Sequence, residues 1–381
     1  MMINLCSLCF FIIALLSPNV CFSDVVALHL NIPEYEWMDK TISKEFQPFE
    51  KDGIRLEDID NVMACNASEF CRFKIVNSKV YGPNIALKNL LVTMTELYTV
   101  PDVDFIYYNA DVLTTHLLNK IYNLKDKKTA PIFVSAKNKN LNRAVLLVDW
   151  YYDILSEKKG SWNGLIEEIQ SNQSRWPWEK KINKLFWRGV PSDGGGLSET
   201  INWANYPRGK LVYLSHFVAP QDIDAAFAGA CFEDPRFILA PEFKKHVPCS
   251  NMVSQVDHLQ YKYQPVMDGV TSTWPGYQWR LLSGCVTFKQ ETDEIMWFYE
   301  PLSPWVHYIP FQKDCSDILE RIHWARSHDK QAKKIAKNAK HFVLNNLMPE
   351  HILLYCYKAL LTYASLQRFS PTIAEEDLSK Y

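Results

Sequence analysis

Short, wholly apolar segments that alternate with helical segments are the feature that most constrains this 381-residue chain. Residues 144–148 (AVLLV) contain no polar position, and residues 105–108 (FIYY) form a second run of β-prone side chains. A strand that is apolar on both faces is typical of a parallel sheet covered by helices. The alternation therefore predicts a layered α/β architecture rather than a β-sandwich or a helix bundle.

Three segments carry apolar residues at helical spacing, which predicts amphipathic helices. They comprise Leu113, Leu117, Leu118 and Ile121; Trp162, Leu165, Ile166 and Ile169; and Ala332, Ile335, Ala336, Ala339, Phe342 and Val343. Lysines occupy the other face of the third segment, a pattern that favours a solvated helix surface over an anion-binding patch.

The length suits two domains of ordinary size. The loop PSDGGGLSET has three consecutive glycines and no apolar anchor, so we place the domain boundary shortly before it, near Lys180. The predicted segments are a signal peptide at 1–23, an N-terminal domain at 24–180, a second domain at 181–345, and a C-terminal helix and tail at 346–381.

The first 23 residues have the pattern of a cleavable secretory signal. Their apolar centre, residues 5–16, is followed by small residues at Cys21 and Ser23. That centre is shorter than the ~20 residues a membrane span needs. We therefore expect the mature protein to begin near Asp24, in a lumen or outside the cytoplasm, with no membrane span.

Ten cysteines fall to seven when Cys6, Cys9 and Cys21 leave with the predicted signal. In an oxidising compartment some of the seven are expected to pair, with one thiol left over. The first candidate pair is Cys65 with Cys71, and the second is Cys249 with Cys285.

Charge and motif spacing exclude several kinds of site. A net charge of −2 gives no electrostatic reason to expect nucleic acid or an anionic membrane as a partner. Outside the predicted signal peptide, which contains Cys6 and Cys9, no CxxC or HExxH spacing occurs, so we expect no metal site. Asn66 and Asn172 begin glycosylation sequons.

Asp111 stands where the run at 105–108 gives way to the first predicted helix. One interpretation is a helix N-cap, because an aspartate accepts the unpaired N–H groups of a first turn. The other is a catalytic carboxylate, because strand ends that lead into helices form the ligand-facing edge of an open α/β sheet. Spacing does not separate the two.

Arg188, Arg208 and Arg280 are predicted to lie in loops that follow strands. Guanidinium groups suit bidentate contact with phosphate, and a helix start after Pro275 would offer free N–H groups to the same anion. Each arginine alone is more typical of a surface or structural ion pair, but three together favour a phosphate-bearing ligand. The triple glycine is no P-loop, because no Gly-Lys-Ser/Thr follows it.

Aromatic residues are concentrated between 288 and 311, together with Glu291 and His307. Such residues belong either to a core or to an aromatic wall that holds a sugar or nucleoside.

Read together, these segments resemble glycosyltransferase family 90, which includes capsule-associated proteins, lipopolysaccharide-modifying enzymes and protein O-glucosyltransferases. The resemblance runs from about residue 100 to residue 367. It is carried by PDVDFIYYNAD, RWPWEKK, FWRG, RGKLVYLS, IDAAF, YKYQPVMDG, FKQE, PLSPWVHYIPF and WARSHDKQAKKIAKNAKHFVLNNLM.

The resemblance implies a GT-B architecture, in which two Rossmann-like domains face a central cleft and C-terminal helices cross back to the first domain. Domain 24–180 would bind the acceptor and domain 181–345 the nucleotide sugar. The implied activity is inverting and needs neither metal nor cofactor. It moves glucose or xylose from UDP-glucose or UDP-xylose to a hydroxyl of a glycan, of the lipopolysaccharide or capsule type, or of a secreted protein serine. The implied location is the endoplasmic reticulum lumen or the exterior, with a bacterial periplasm as the alternative.

The resemblance also implies roles for particular residues. By motif match Asp111 is the base and Arg208 contacts the diphosphate. The donor-binding loop comprises Val270, Thr271, Ser272, Thr273 and Trp274, and the substrate-binding set is completed by Arg188, Arg280, Glu291 and Tyr152.

Two departures from the family pattern leave an alternative open. Val190 replaces a small hydroxyl residue, and the arginine expected soon after the loop serine is delayed to Arg280. The alternative is a catalytically silent, lectin-like relative that binds glycans or proteins.

Overall fold

Two five-stranded sheets carry the fold in the computed structural model, which describes residues 35–111, 113, 117, 121, 128–148, 161–192, 206–229 and 249–374. The predicted α/β class with parallel strands is confirmed by these sheets.

The first sheet has the strand order β2-β1-β3-β4-β6. Its strands are β1 Phe70–Val76, β2 Lys79–Tyr81, β3 Val103–Tyr108, β4 Ile132–Val134 and β6 Ala144–Leu146. β1 runs antiparallel to β2 and β3, whereas β3, β4 and β6 are parallel to one another. The two apolar runs of the sequence thus form two buried strands, β3 and β6, which lie on either side of β4.

The second sheet is parallel throughout, with the order β12-β10-β9-β7-β8. Its strands are β7 Ile182–Gly189, β8 Ile223–Phe227, β9 Tyr261–Val266, β10 Val286–Gln290 and β12 Ile309–Phe311. The strand order reverses between β7 and β9. β8 lies next to β7 at one edge of the sheet, whereas β9, β10 and β12 lie on the opposite side of β7. In open α/β sheets such a reversal leaves a crevice at the carboxyl ends of the strands.

A two-stranded antiparallel pair joins the two sheets. β5 Ala136–Asn138 follows β4 of the first sheet, and β11 Glu294–Met296 follows β10 of the second. The register aligns Asn138 with Glu294 and Ala136 with Met296. Because both strands continue from the carboxyl ends of their sheets, the two carboxyl edges meet at this pair.

Ten α-helices surround the sheets in the described ranges. They are α1 Glu36–Phe46, α2 Leu56–Met63, α3 Ala86–Leu97, α4 Trp162–Asn172, α5 Pro207–Tyr213, α6 Gln255–His258, α7 Pro275–Leu282, α8 Ile318–Ser327, α9 Asp329–Asn346 and α10 Pro349–Leu366. Within those ranges, none of the helices is both long and apolar enough to span a bilayer.

Helical periodicity predicted α4 and α9. Trp162, Leu165, Ile166 and Ile169 are the buried residues of α4, and the six apolar residues predicted for α9 are its buried face. Of the segment after Asp111, Leu113 and Leu117 are buried, but Leu118 and the helix itself lie outside the described residues.

The C-terminal helix α10 packs against α1, α3 and β3 of the first sheet. The hydroxyl of Tyr363 on α10 donates a 2.8 Å hydrogen bond to the Asp104 carbonyl, and the Gln367 side chain accepts one of 3.0 Å from the Asp104 N–H. These contacts tie the C-terminal end of α10 to the start of β3.

Both candidate disulfides are wrong, because Cys65, Cys71 and Cys285 form no disulfide. Cys71 lies within β1 and packs into the core, away from the short loop the pairing assumed. Cys285 is buried and faces the Lys181 ammonium at 3.3 Å. Cys249 is disulfide-bonded, but no disulfide joins two of the described cysteines.

Candidate active site

Arg208 connects the two strand ends at which the second sheet reverses its order. Its Nη1 donates to the Val190 carbonyl at 2.7 Å, just beyond β7. Its Nε and Nη2 donate to the carbonyls of Asp268 and Met267, just beyond β9, at 2.9 and 3.0 Å. The side chain is only 8% exposed. Arg208 therefore holds the crevice in shape and places a buried positive charge beneath it.

The prediction that Arg208 lies in a loop after a strand is wrong. It occupies the first turn of α5, which Pro207 begins, and proline is favoured there because its fixed φ matches the helix. The segment RGKLVYLS thus continues as a helix. Gly269 packs against Arg208 so closely that a Cβ at Gly269 would lie 3.0 Å from Nη2 and 2.8 Å from the Ser192 hydroxyl.

The loop between β9 and α7, residues 267–274, contains the predicted donor-binding residues. Asp268 anchors its start, because its Oδ1 accepts hydrogen bonds from Lys289 Nζ at 3.0 Å and from the Thr273 hydroxyl at 3.2 Å. Thr271 and Ser272 are buried, whereas Val270 is 42% exposed at the tip of the loop. The polar side chains of the loop are engaged in contacts within the protein. Its backbone and the exposed Val270 side chain are therefore the groups available to contact a ligand.

Trp274 ends this loop in a strained conformation. Its φ of 51° and ψ of −140° lie where non-glycine residues are rare, at a cost of about 1–3 kcal/mol. The strain turns the chain into α7, which starts at Pro275 as the sequence predicts. The first N–H groups of a helix and its dipole together favour an anion at this end.

Arg280 lies on α7 rather than in a loop, so that prediction too is wrong in its local structure. Its Nη1 donates to the Gly276 carbonyl at 2.8 Å, one turn back towards the start of the helix. A Cβ at Gly276 would lie 2.8 Å from both Arg280 Nη1 and Thr273 Cγ2. The guanidinium therefore lies beside the last turn of the loop, buried at 5% exposure.

A neutral histidine lies close to Arg280. Burial, followed by the positive charge of Arg280, lowers the pKa of His258 to about 3. Arg188 is a smaller contributor to the same shift. His258 therefore carries no charge at neutral pH.

Arg188 makes a structural ion pair. Its Nη2 donates to the Asp224 carboxylate at 2.7 Å across β7 and β8, and its guanidinium lies 4.3 Å from the centroid of the Phe186 ring. This is the ion-pair interpretation that the sequence left open.

A cavity of about 620 Å³ opens at the carboxyl end of β10. Its wall includes Lys289, Glu291, Tyr299, Trp305 and Tyr308. Burial, and to a lesser degree the charge of Glu291, raises the pKa of Tyr308. The core interpretation is confirmed for Trp297 and Phe298, whereas Tyr299, Trp305 and Tyr308 line the cavity.

Asp111 follows β3 by three residues and is partly buried. Burial, then the charges of Glu69 and Asp111, raises the pKa of Tyr108 to about 12. Because β3 and β4 are parallel neighbours, Asp111 lies on the carboxyl edge from which β4 leads into β5. The helix predicted after Asp111 lies outside the described residues, so its N-cap interpretation stays a prediction. Tyr152 also lies outside them.

Glu294 joins this edge to the β9–α7 loop. Its Oε2 accepts a 2.7 Å hydrogen bond from the Thr271 hydroxyl, and its Oε1 accepts one of 3.1 Å from the Asn138 amide. Sequence reasoning missed Glu294, Asn138, Asp268 and Lys289 as site residues. For Asp268 and Lys289 a signal existed, since both lie in the motifs YKYQPVMDG and FKQE.

Three comparisons place these features among known proteins. Protein O-glucosyltransferase 2 of Danio rerio is 30% identical over 315 residues, which are 80% of this chain and 57% of that protein. Protein O-glucosyltransferase 3 of Homo sapiens is 25% identical over 347 residues, 88% of this chain and 63% of that protein. This chain therefore spans less than two thirds of the length of these relatives.

Among solved structures, Anabaena Alr3699/HepE in complex with UDP-glucose is 11% identical, with a TM-score of 0.39, and the match covers 66% of this chain and 68% of that chain. The family model described as glycosyl transferase family 90 matches residues 33–379. That match covers most of the sequence and confirms the resemblance carried by its motifs. The chain belongs to glycosyltransferase family 90.

Proposed function

We propose that this chain is a glycosyltransferase that moves glucose or xylose from a UDP-sugar to a hydroxyl of a secreted protein serine or of a glycan. The protein O-glucosyltransferases among its relatives favour a protein acceptor. The observation that carries the proposal is the hydrogen-bonded link through Glu294, which joins the edge of the first sheet that includes Asp111 to the β9–α7 loop of the second sheet.

The proposed architecture is of the GT-B type. Domain 24–180 would provide the acceptor side, domain 181–345 the nucleotide-sugar side, and 346–381 the return to the first domain. The packing of α10 on α1, α3 and β3 supports the last of these assignments. The proposed location is a secretory lumen or the cell exterior, which rests on the signal-like first 23 residues.

The proposed reaction is a single displacement with inversion. Asp111 takes the proton of the acceptor hydroxyl while that oxygen attacks the anomeric carbon of the sugar. The bond from this carbon to the diphosphate oxygen breaks, and the electron pair leaves with UDP. A carboxylate suits this role because it is ordinarily ionised at neutral pH and can then accept one proton.

Charge that develops on the departing diphosphate needs fixed positive groups. The start of α7 supplies N–H groups, Arg280 lies beside it, and Arg208 lies beneath the β9–α7 loop. These groups are held in place before the ligand arrives, so little reorganisation accompanies the reaction. We propose on this basis that the protein's own cations replace a metal ion.

A donor screen tests the proposal. Purified protein is incubated with UDP-glucose, UDP-xylose and other UDP-sugars, with and without EDTA, and UDP release is measured before and after a panel of serine-containing protein domains and glycans is added. The proposal predicts acceptor-stimulated UDP release from UDP-glucose or UDP-xylose that persists in EDTA. No UDP binding and no release would contradict it, and release abolished by EDTA would contradict metal independence.

A further inference from the structure

The hydroxyl of Tyr277 is buried and has no hydrogen-bond partner among the described residues. The residue is 1% exposed, and no described residue forms a hydrogen bond with its Oη. Leaving a buried hydroxyl unpaired costs folding free energy. Native proteins keep few such groups, and those they keep call for an explanation such as a ligand.

The surroundings of Tyr277 point to the cavity at the end of β10. Tyr277 belongs to the cavity wall, and its ring lies 5.2 Å from that of Tyr299 and 6.3 Å from that of Tyr308, both also in the wall. Lys289 Nζ lies 5.8 Å from the Tyr277 ring centroid and holds Asp268 at the start of the β9–α7 loop. Tyr277 thus stands between that loop and the cavity.

The hydroxyl is a hydrogen-bond donor at every physiological pH. Burial raises the pKa of Tyr277 well above its ordinary value, and Tyr308, Tyr299 and Asp268 act in the same direction. A protonated hydroxyl, on a ring whose centroid lies 5.8 Å from the Lys289 ammonium group, matches an oxygen-rich ligand, such as a phosphate or a sugar.

We propose that Tyr277 is a ligand-binding residue whose hydroxyl donates a hydrogen bond to an oxygen of the nucleotide sugar in this cavity. The inference rests on the proposed function, since it takes the cavity to be where the UDP-sugar binds. In the free protein no described residue forms a hydrogen bond with this hydroxyl, so ligand binding does not have to break one. The bond formed with the ligand therefore adds to affinity without a compensating loss inside the protein.

The Tyr277→Phe variant tests this, because it removes the hydroxyl and keeps the ring. Calorimetric titration with UDP and with UDP-glucose should show binding weakened about tenfold for at least one of them. Weakening for both assigns the contact to the nucleotide, and weakening for UDP-glucose alone assigns it to the sugar. The melting temperature should stay the same or rise, because an unpaired buried hydroxyl has been removed.

Tyr363→Phe is the matched control. Tyr363 is also fully buried, but its hydroxyl donates to the Asp104 carbonyl at 2.8 Å in the first sheet. This variant should melt at a lower temperature and bind both ligands as the wild type does. Affinities of Tyr277→Phe within twofold of wild type for both ligands would overturn the inference. Absence of binding by the wild type would instead contradict the proposed function.

Discussion

Thr271 and Asn138 donate hydrogen bonds to the two oxygens of one carboxylate, that of Glu294, at 2.7 and 3.1 Å. Thr271 belongs to the β9–α7 loop of the second sheet, and Asn138 ends the strand that continues from β4 of the first. A glycosyl transfer needs its base and its leaving-group site at a fixed separation, and misplacement by about 1 Å costs on the order of 100-fold in rate. This carboxylate is therefore expected to set the alignment of the two halves.

The Asn138→Asp variant tests this alignment. It places two carboxylates face to face and should lower kcat about tenfold. The affinity for UDP should change less than about twofold, because the loop and Arg208 are untouched. The measurement is steady-state transfer together with calorimetric UDP titration.

Rescue by a second substitution separates alignment from general damage. In Asn138→Asp combined with Glu294→Gln, the new amide donates to the new carboxylate and its oxygen still accepts from Thr271. We expect kcat to recover to within about threefold of wild type, since the coupling resides in this one pair. A double variant as slow as Asn138→Asp alone would contradict the role of the pair.

We expect that lysine cannot replace Arg208. Arg208→Lys keeps the charge but loses the several donors that reach the carbonyls of Val190, Met267 and Asp268. UDP affinity should fall about tenfold and unfolding free energy by about 2 kcal/mol, because buried carbonyls lose charged partners. Calorimetry and denaturant unfolding measure the two effects.

Arg72→Lys is the control for that variant. Arg72 makes an equally well-formed bidentate contact, to Asp104 at 2.7 and 2.8 Å, in the first sheet. The control should lose stability and retain UDP affinity. If both variants retained UDP affinity, Arg208 would have no part in donor binding.

His258 should make stability depend on pH. Burial first, and then Arg280, holds its pKa at about 3 in the folded protein, against about 6.5 when unfolded. Between these values the unfolded chain binds the additional proton, so stability is present above about pH 6.5 and is lost as the pH falls towards 3.

The matching measurement is denaturant unfolding of wild type and His258→Gln between pH 7 and pH 4. Well below pH 6.5 the wild-type slope should exceed that of the variant by up to one proton, or about 1.4 kcal/mol per pH unit. Equal slopes would show that His258 is not held neutral.

Local patterns predicted local structure well and distant contacts poorly. The buried faces of α4 and α9 follow from residue spacing, because a helix repeats its face every three to four residues. Arg208 was placed wrongly because β-prone residues follow it, whereas Pro207 starts a helix. The link from Asn138 to Glu294 joins two three-residue strands 156 positions apart, and no local pattern marks such a pair.

The role of Asp111 is the central claim. Asp111→Asn keeps the size of the side chain and its ability to cap a helix, but it removes the basic carboxylate. Acceptor-dependent transfer and UDP affinity, measured on the same preparations of wild type and variant, separate catalysis from folding. We predict transfer lower by about 100-fold or more, with UDP affinity within about twofold of wild type; transfer at the wild-type rate would contradict the account.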